Sequence, residues 1–273
     1  MSMKITTASP IQILGTIIFA FLLVGVAGGT WSFLLVRNLH SSPVYPWCVA
    51  AMGVLLWILW QYLSGRWGPR KSAEYRSRAL RANPLPTKTF VLALIAGLSA
   101  VMSLAGLWIV LSRLTTILAH PLPDFSLYPA ATVVLVLFMA ALVNAIAEEA
   151  GLRGYLQGML EQRFGGVGAI VATALLMAPA HGATQGFAWQ IVVFYLLIDV
   201  ALGTVAYLTN SILPGILVHA AGLLLFFTVI WRPEAVRFTL WEGTAAFAIF
   251  GAISIAAYLQ LAESRRKLLM LAP

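Results

Sequence analysis

About eight apolar runs, each near 20 residues long, recur along this 273-residue chain. They lie near residues 11–36, 46–63, 89–112, 128–149, 167–183, 187–208, 211–231 and 240–262. A helix of that length spans a bilayer core, and a helix satisfies its backbone polar groups where no water can. The expected fold is therefore all-α, a polytopic transmembrane helix bundle of about eight spans. Only 10% of the residues are charged, against about a quarter in soluble domains, and mean hydropathy is +0.91. No polar stretch is long enough to form a soluble domain. The single cysteine, Cys48, excludes an internal disulfide and a cysteine-based metal cluster. The first run, preceded by Lys4, is too long for the apolar core of a signal peptide.

The basic residues orient the bundle. Arg66, Arg70, Lys71, Arg76, Arg78, Arg81 and Lys88 cluster between the second and third runs, and Arg265, Arg266 and Lys267 follow the last. The positive-inside rule places these segments in the cytoplasm. Both termini and the 150–166 loop, with Arg153 and Arg163, then lie on the same side; the alternative is that the fourth run extends into a further helix to about residue 163. The opposite loops hold Arg37, Arg232 and Arg237, with Arg113 near that face. The net charge of +8 is thus explained by topology and by anionic head groups, and nucleic acid is not an expected partner.

Ionisable residues inside the apolar runs are few. Of nine acidic residues, Glu74, Asp124, Glu161, Glu234, Glu242 and Glu263 fall in loops or at run ends. His40 and His120 lie in outer loops, near Pro43 and Pro121. The remainder are Glu148, Glu149, Asp199, His181 and His219, with Arg153 just beyond. They sit on four consecutive runs, and a bundle core can bring them together. Intramembrane ionisable groups are costly and mark functional sites by default.

Helical spacing assigns roles in the sequence Glu148-Glu149-Ala150-Gly151-Leu152-Arg153. Glu149 and Arg153, four apart, share a face and suit an ion pair. Glu148 points roughly 100° away, free to face a cavity as a base. The bland alternative is a salt bridge at a helix end with a second carboxylate reaching water. Ala147, Gly151, Gly154 and Gly158 form a small-residue stripe that lets a neighbouring backbone approach closely.

A carboxylate pair with two imidazoles suits activation of water for attack on a carbonyl. The chain has no HExxH sequence, no serine–histidine–acid order and no glycine-rich phosphate loop. A proton-relaying transporter can also use buried Glu, Asp and His, but no inverted repeat is visible. Depth poses a problem for one shared site. His219 lies about 12 Å and His181 about 21 Å from the cytoplasmic helix ends. The fifth helix therefore begins later than residue 167, or is tilted or broken near Pro179.

At these positions the chain resembles a known family. Glu148-Glu149-x-x-x-Arg153 followed by Gly154-Tyr155-Leu156 is similar to the first motif of the CAAX-protease and bacteriocin-processing (CPBP, or ABI) family of intramembrane proteases. Met177-x-x-x-His181 resembles its second motif, with Met where Phe is usual. Gly203-x-x-x-Tyr207-x-Thr209-Asn210-Ser211-Ile212 leads into a fourth motif at His219. The resemblance covers roughly residues 130–225. One departure stands out: the family's usual Asn or Asp four residues after the last histidine is Leu223 here. Loss of such an oxyanion donor costs about 3–4 kcal/mol of transition-state stabilisation. Asp199 is an additional acid that either orients a histidine or pairs with a neighbouring span.

By this resemblance, Glu148 activates the water with help from His181, Glu149 and Arg153 order the site, and His219 steadies the oxyanion. The implied activity is hydrolysis of a peptide bond in a membrane-proximal or prenylated CAAX-type substrate. A non-catalytic scaffold or bacteriocin self-immunity protein of the same family is the alternative. No cofactor is expected. Two imidazoles and a carboxylate can hold zinc in principle, but Arg153 puts a cation where the metal would sit. The expected organisation is N-terminal spans with a basic loop over 1–127, a catalytic helix core over 128–232, and a final span with a basic tail over 233–273. Expected partners are a peptide or lipidated protein and the lipid bilayer; the oligomeric state is not legible.

Overall fold

The computed structural model describes residues 8–41, 44–117, 125–230 and 238–271. Lys4, Pro43, His120, Pro121, Asp124, Arg232, Glu234 and Arg237 lie outside the described residues. The described chain is helical, without strands. Helix α1 (Pro10–Leu39) starts in a capping box. Ser9 Oγ accepts from the Gln12 amide at 3.3 Å, and Gln12 Oε1 accepts from the Ser9 amide at 2.9 Å; these bonds satisfy otherwise orphaned N–H groups. Helix α2 (Trp47–Leu63) is followed by a 3-10 turn and the short α3 (Ala73–Leu80). Then come α4 (Thr87–Leu114) and α5 (Ala130–Glu148).

Beyond α5 the chain continues as a π-helix, Glu149–Leu156, and then as α6 (Gln157–Gln185). α7 (Trp189–Thr209) and α8 (Leu213–Leu225) follow, the latter continuing into a π-turn, Phe226–Ile230. The last helix is α9 (Leu240–Leu271). Five stretches are long and apolar enough to cross a membrane: Pro10–Leu39, Thr87–Leu114, Ala130–Gln185, Trp189–Thr209 and Leu240–Lys267. Trp47–Leu63 and Leu213–Thr228 are shorter apolar helices. Outward-facing Ile11, Leu14, Val26, Val134, Ile255 and Leu259 are more than half exposed, as befits a bundle whose outer solvent is lipid.

The 56-residue stretch Ala130–Gln185 holds the fourth and fifth apolar runs, divided at Gly165 (φ 70°, ψ 174°). That backbone region is essentially open only to glycine. The break lies before residue 167, and the helix runs unbroken through Pro179 to Gln185. The fifth helix therefore neither begins late nor breaks at Pro179. Nor is 150–166 a loop: the chain stays helical up to the break at Gly165, and Arg153 is fully buried. Arg153 cannot be a topology-setting surface charge, because carboxylates surround it in the core.

Small residues bring the site-bearing helices together. A Cβ on Gly154 would meet the Leu80 carbonyl oxygen at 2.7 Å, and one on Gly151 would meet that of Ala20 at 3.2 Å. The π-helix is thus clamped between α1 and α3, the close approach its small-residue stripe predicts. Arg81, at the end of α3, locks one end of the bundle. It donates to the carbonyls of Arg153 (3.2 Å) and Ala206 (3.1 Å) and pairs with Glu161 at 2.9 Å. On the far side, α9 packs along α4 with nearly touching backbones: a Cβ on Gly106 would meet the Phe247 amide nitrogen at 2.5 Å.

Candidate active site

The site is assembled by α5, the π-helix, α6, α7 and α8. Glu148 ends α5 and Glu149 opens the π-helix, where hydrogen bonds reach five residues back and the turn is wider. The two carboxylates diverge. Glu149 is fully buried and turned into the bundle, whereas Glu148 lines a cavity of about 570 Å³. His181, Asp199, His219 and Met177 line the same cavity, with Tyr195, Asn144 and Leu223. The structure thus gathers residues from four apolar runs into one place.

Arg153 is the electrostatic hub. Its guanidinium lies 3.6 Å from Glu149 Oε1, the expected i,i+4 pair, and makes a shorter contact to Asp199 Oδ1 on α7. Burying an unpaired guanidinium is costly, and two flanking carboxylates offset that cost. Asp199 both pairs with a neighbouring span and touches a histidine: its Oδ2 lies 3.8 Å from His181 Nε2.

Both imidazoles are oriented. His219 Nδ1 lies 3.1 Å from Glu149 Oε1. A carboxylate accepts, so Nδ1 carries a proton and Nε2 is left for the cavity, where it lies 3.8 Å from Glu148 Oε2. Gly215, one turn earlier on α8, makes room for this arrangement, since a Cβ there would meet Glu149 Oε2 at 2.6 Å. His181 stacks on the Tyr195 ring, with centroids 4.0 Å apart and planes 11° apart. Tyr195 and Asp199 are four residues apart on α7 and reach His181 from the same face. That spacing was the available sequence signal for Tyr195.

The third motif region is structural. Asn210 adopts a left-handed conformation (φ 51°), Ser211 Oγ donates to the Asn83 carbonyl at 2.7 Å, and the Ile212 amide donates to the Arg81 carbonyl at 3.1 Å. This tight turn fixes where α8, and hence His219, begins. A second hollow of about 760 Å³ between α1, α3 and the start of α6 contains none of the site's carboxylates or imidazoles.

Among the described residues, no three His, Cys, Asp or Glu side chains converge as a metal site would require. No step below passes through a metal.

Fold and site together define a multi-pass membrane protein with a mostly apolar cavity inside its bundle, into which carboxylates and imidazoles project. Residues 129–225 match the family model described as type II CAAX prenyl endopeptidase Rce1-like, the family that the motifs resemble. The match spans α5 to α8, the segment that carries every charged or imidazole group of the site. No significant match was found among the curated proteins or the solved structures.

Proposed function

We propose that this protein is an intramembrane endopeptidase that hydrolyses a peptide bond with a water activated by Glu148. The observation that carries this reading is the division of labour between adjacent carboxylates. Glu149 is buried behind the site on Arg153 and His219, whereas Glu148 faces the cavity beside His219 Nε2.

In this mechanism Glu148 takes a proton from water as the oxygen attacks the carbonyl carbon. The carbonyl electron pair moves to oxygen, giving a tetrahedral oxyanion that His219, protonated on both nitrogens, stabilises from Nε2. Collapse re-forms the carbonyl and breaks the C–N bond. Glu148 returns its proton to the departing amine, leaving one new carboxylate and one new amine. His181, held by Asp199 and Tyr195, positions the water from the opposite wall. Glu149, Arg153 and Asp199 act by positioning and do not contact the reacting atoms.

The substrate in this reading is a membrane-proximal or prenylated CAAX-type peptide, entering a cavity with mostly apolar walls. The chain crosses the cell membrane eight times with both termini in the cytoplasm. Residues 128–232 form the catalytic core between the flanking spans 1–127 and 233–273. Leu223 favours a second reading, a non-catalytic family member that binds a peptide without cutting it.

The test is cleavage of prenylated C-terminal peptides, with unprenylated controls, by detergent-purified protein in the presence and absence of a chelator. Chelator-insensitive cleavage of the prenylated set is the expected result. Peptide binding without cleavage would favour the scaffold, and chelator-sensitive cleavage would contradict the metal-free mechanism.

A further inference from the structure

Asn144 is a polar residue in the cavity wall to which neither the motifs nor the mechanism above gives work. It lies on α5 four residues before Glu148, so the two share a face about 6 Å apart along the axis. It lines the same cavity as Glu148 and His219. Other polar groups of this cavity are engaged: His219 with Glu149 behind it, and Asp199 with Arg153. The Asn144 amide has no side-chain hydrogen bond among the described residues, although an unmet amide inside a membrane is costly.

The level of Asn144 follows from how α5 meets α8. Glu149 abuts Gly215, and Glu148 lies beside His219. Ala141 and Ala145 cluster with Ala220 and Leu223. Numbers fall along α5 as they rise along α8, so the helices are antiparallel. One turn beyond Glu148 on α5 is therefore at the same depth as one turn beyond His219 on α8. The first position is Asn144 and the second Leu223, which has no donor to offer. The polar group that this level of the cavity needs is supplied by α5.

We infer that Asn144 is the second oxyanion donor, its side-chain N–H groups meeting the tetrahedral oxygen alongside His219 Nε2. This rests on the hydrolytic reading above. In the step concerned, the oxyanion forms as water adds to the carbonyl and is consumed as the C–N bond breaks; Asn144 donates a hydrogen bond throughout and transfers no proton.

The experiment measures kcat and KM on a cleaved prenylated peptide for wild type, Asn144→Leu, Asn144→Ala, the double variant Asn144→Leu/Leu223→Asn, and Glu148→Gln, with thermal melting of each. Removing an oxyanion donor lowers kcat about 10²–10³-fold. The expected result is such a loss in both single Asn144 variants, with KM little changed, and recovery of kcat in the double variant. Wild-type turnover in Asn144→Leu, or a change confined to KM, overturns the inference. If Glu148→Gln is inactive in that same case, the hydrolytic reading survives and Asn144 alone is refuted. If Glu148→Gln still cleaves, or the wild type cuts nothing in the panel, the parent reading falls and takes this inference with it. Melting separates a lost donor from a lost fold, and rescue from α8 is an outcome that a merely structural Asn144 would not give.

Discussion

His219 Nδ1 sits 3.1 Å from Glu149 Oε1, so the carboxylate that cannot reach the cavity fixes the imidazole that can. Its room depends on Gly215, whose absent Cβ leaves space beside Glu149 Oε2. Gly215→Ala should push Glu149 aside and misdirect His219. A misplacement of about 1 Å can cost about 10²-fold in rate, and a loss of that order in kcat is expected. Unchanged kcat in a folded Gly215→Ala protein would show that the Glu149–His219 contact is not needed.

Asp199 and Glu149 together balance a guanidinium that is fully buried. Breaking a buried pair by removing one partner costs about 3–5 kcal/mol. Asp199→Ala should therefore lower the thermal midpoint in detergent markedly, and Asp199→Asn, which keeps an acceptor, should lower it less. Equal midpoints for all three proteins would mean that Arg153 finds its compensation elsewhere.

Gly28 on α1 lines the cavity, and nothing lies within 4 Å of where its Cβ would stand. Gly28→Leu should fill that space without a clash. Raised KM or weakened peptide binding with an unchanged melting midpoint is expected. If KM does not move, substrate does not occupy that wall.

Gly165 combines φ 70° with ψ 174° and has open space around it, so a side chain there is penalised by backbone alone. Gly165→Ala should lose about 1–3 kcal/mol. Asn at this position should bring no relief, since its tolerance of positive φ belongs to the left-handed helical region. A chemical or thermal unfolding series tests this, and an Asn variant as stable as wild type would contradict it.

Much of the fold was legible because lipid makes hydropathy decisive. Six of the eight apolar runs fall on the five long apolar stretches and two on shorter helices, and Glu148, His181, Asp199 and His219 line one cavity. What was not legible came from interactions between helices. Arg153 was legible as the i,i+4 partner of Glu149, but its place on the side of the basic loops suggested contact with water; its full burial comes with Asp199, forty-six positions away. The π-helix and the glycine break at 165 connect the fourth and fifth apolar runs within the bundle. Asn144 was missed because one amide in an apolar run carries no pattern of its own. Its level becomes apparent only when α5 and α8 are seen to run antiparallel.

The central claim is that Glu148, and not its neighbour, activates the water. The most direct measurement is cleavage and binding of one prenylated peptide by wild type and Glu148→Gln, purified side by side. The expected result is turnover in the wild type, loss of turnover in Glu148→Gln, and peptide affinity that is little changed. Glu148→Gln that cleaves at the wild-type rate would contradict the account.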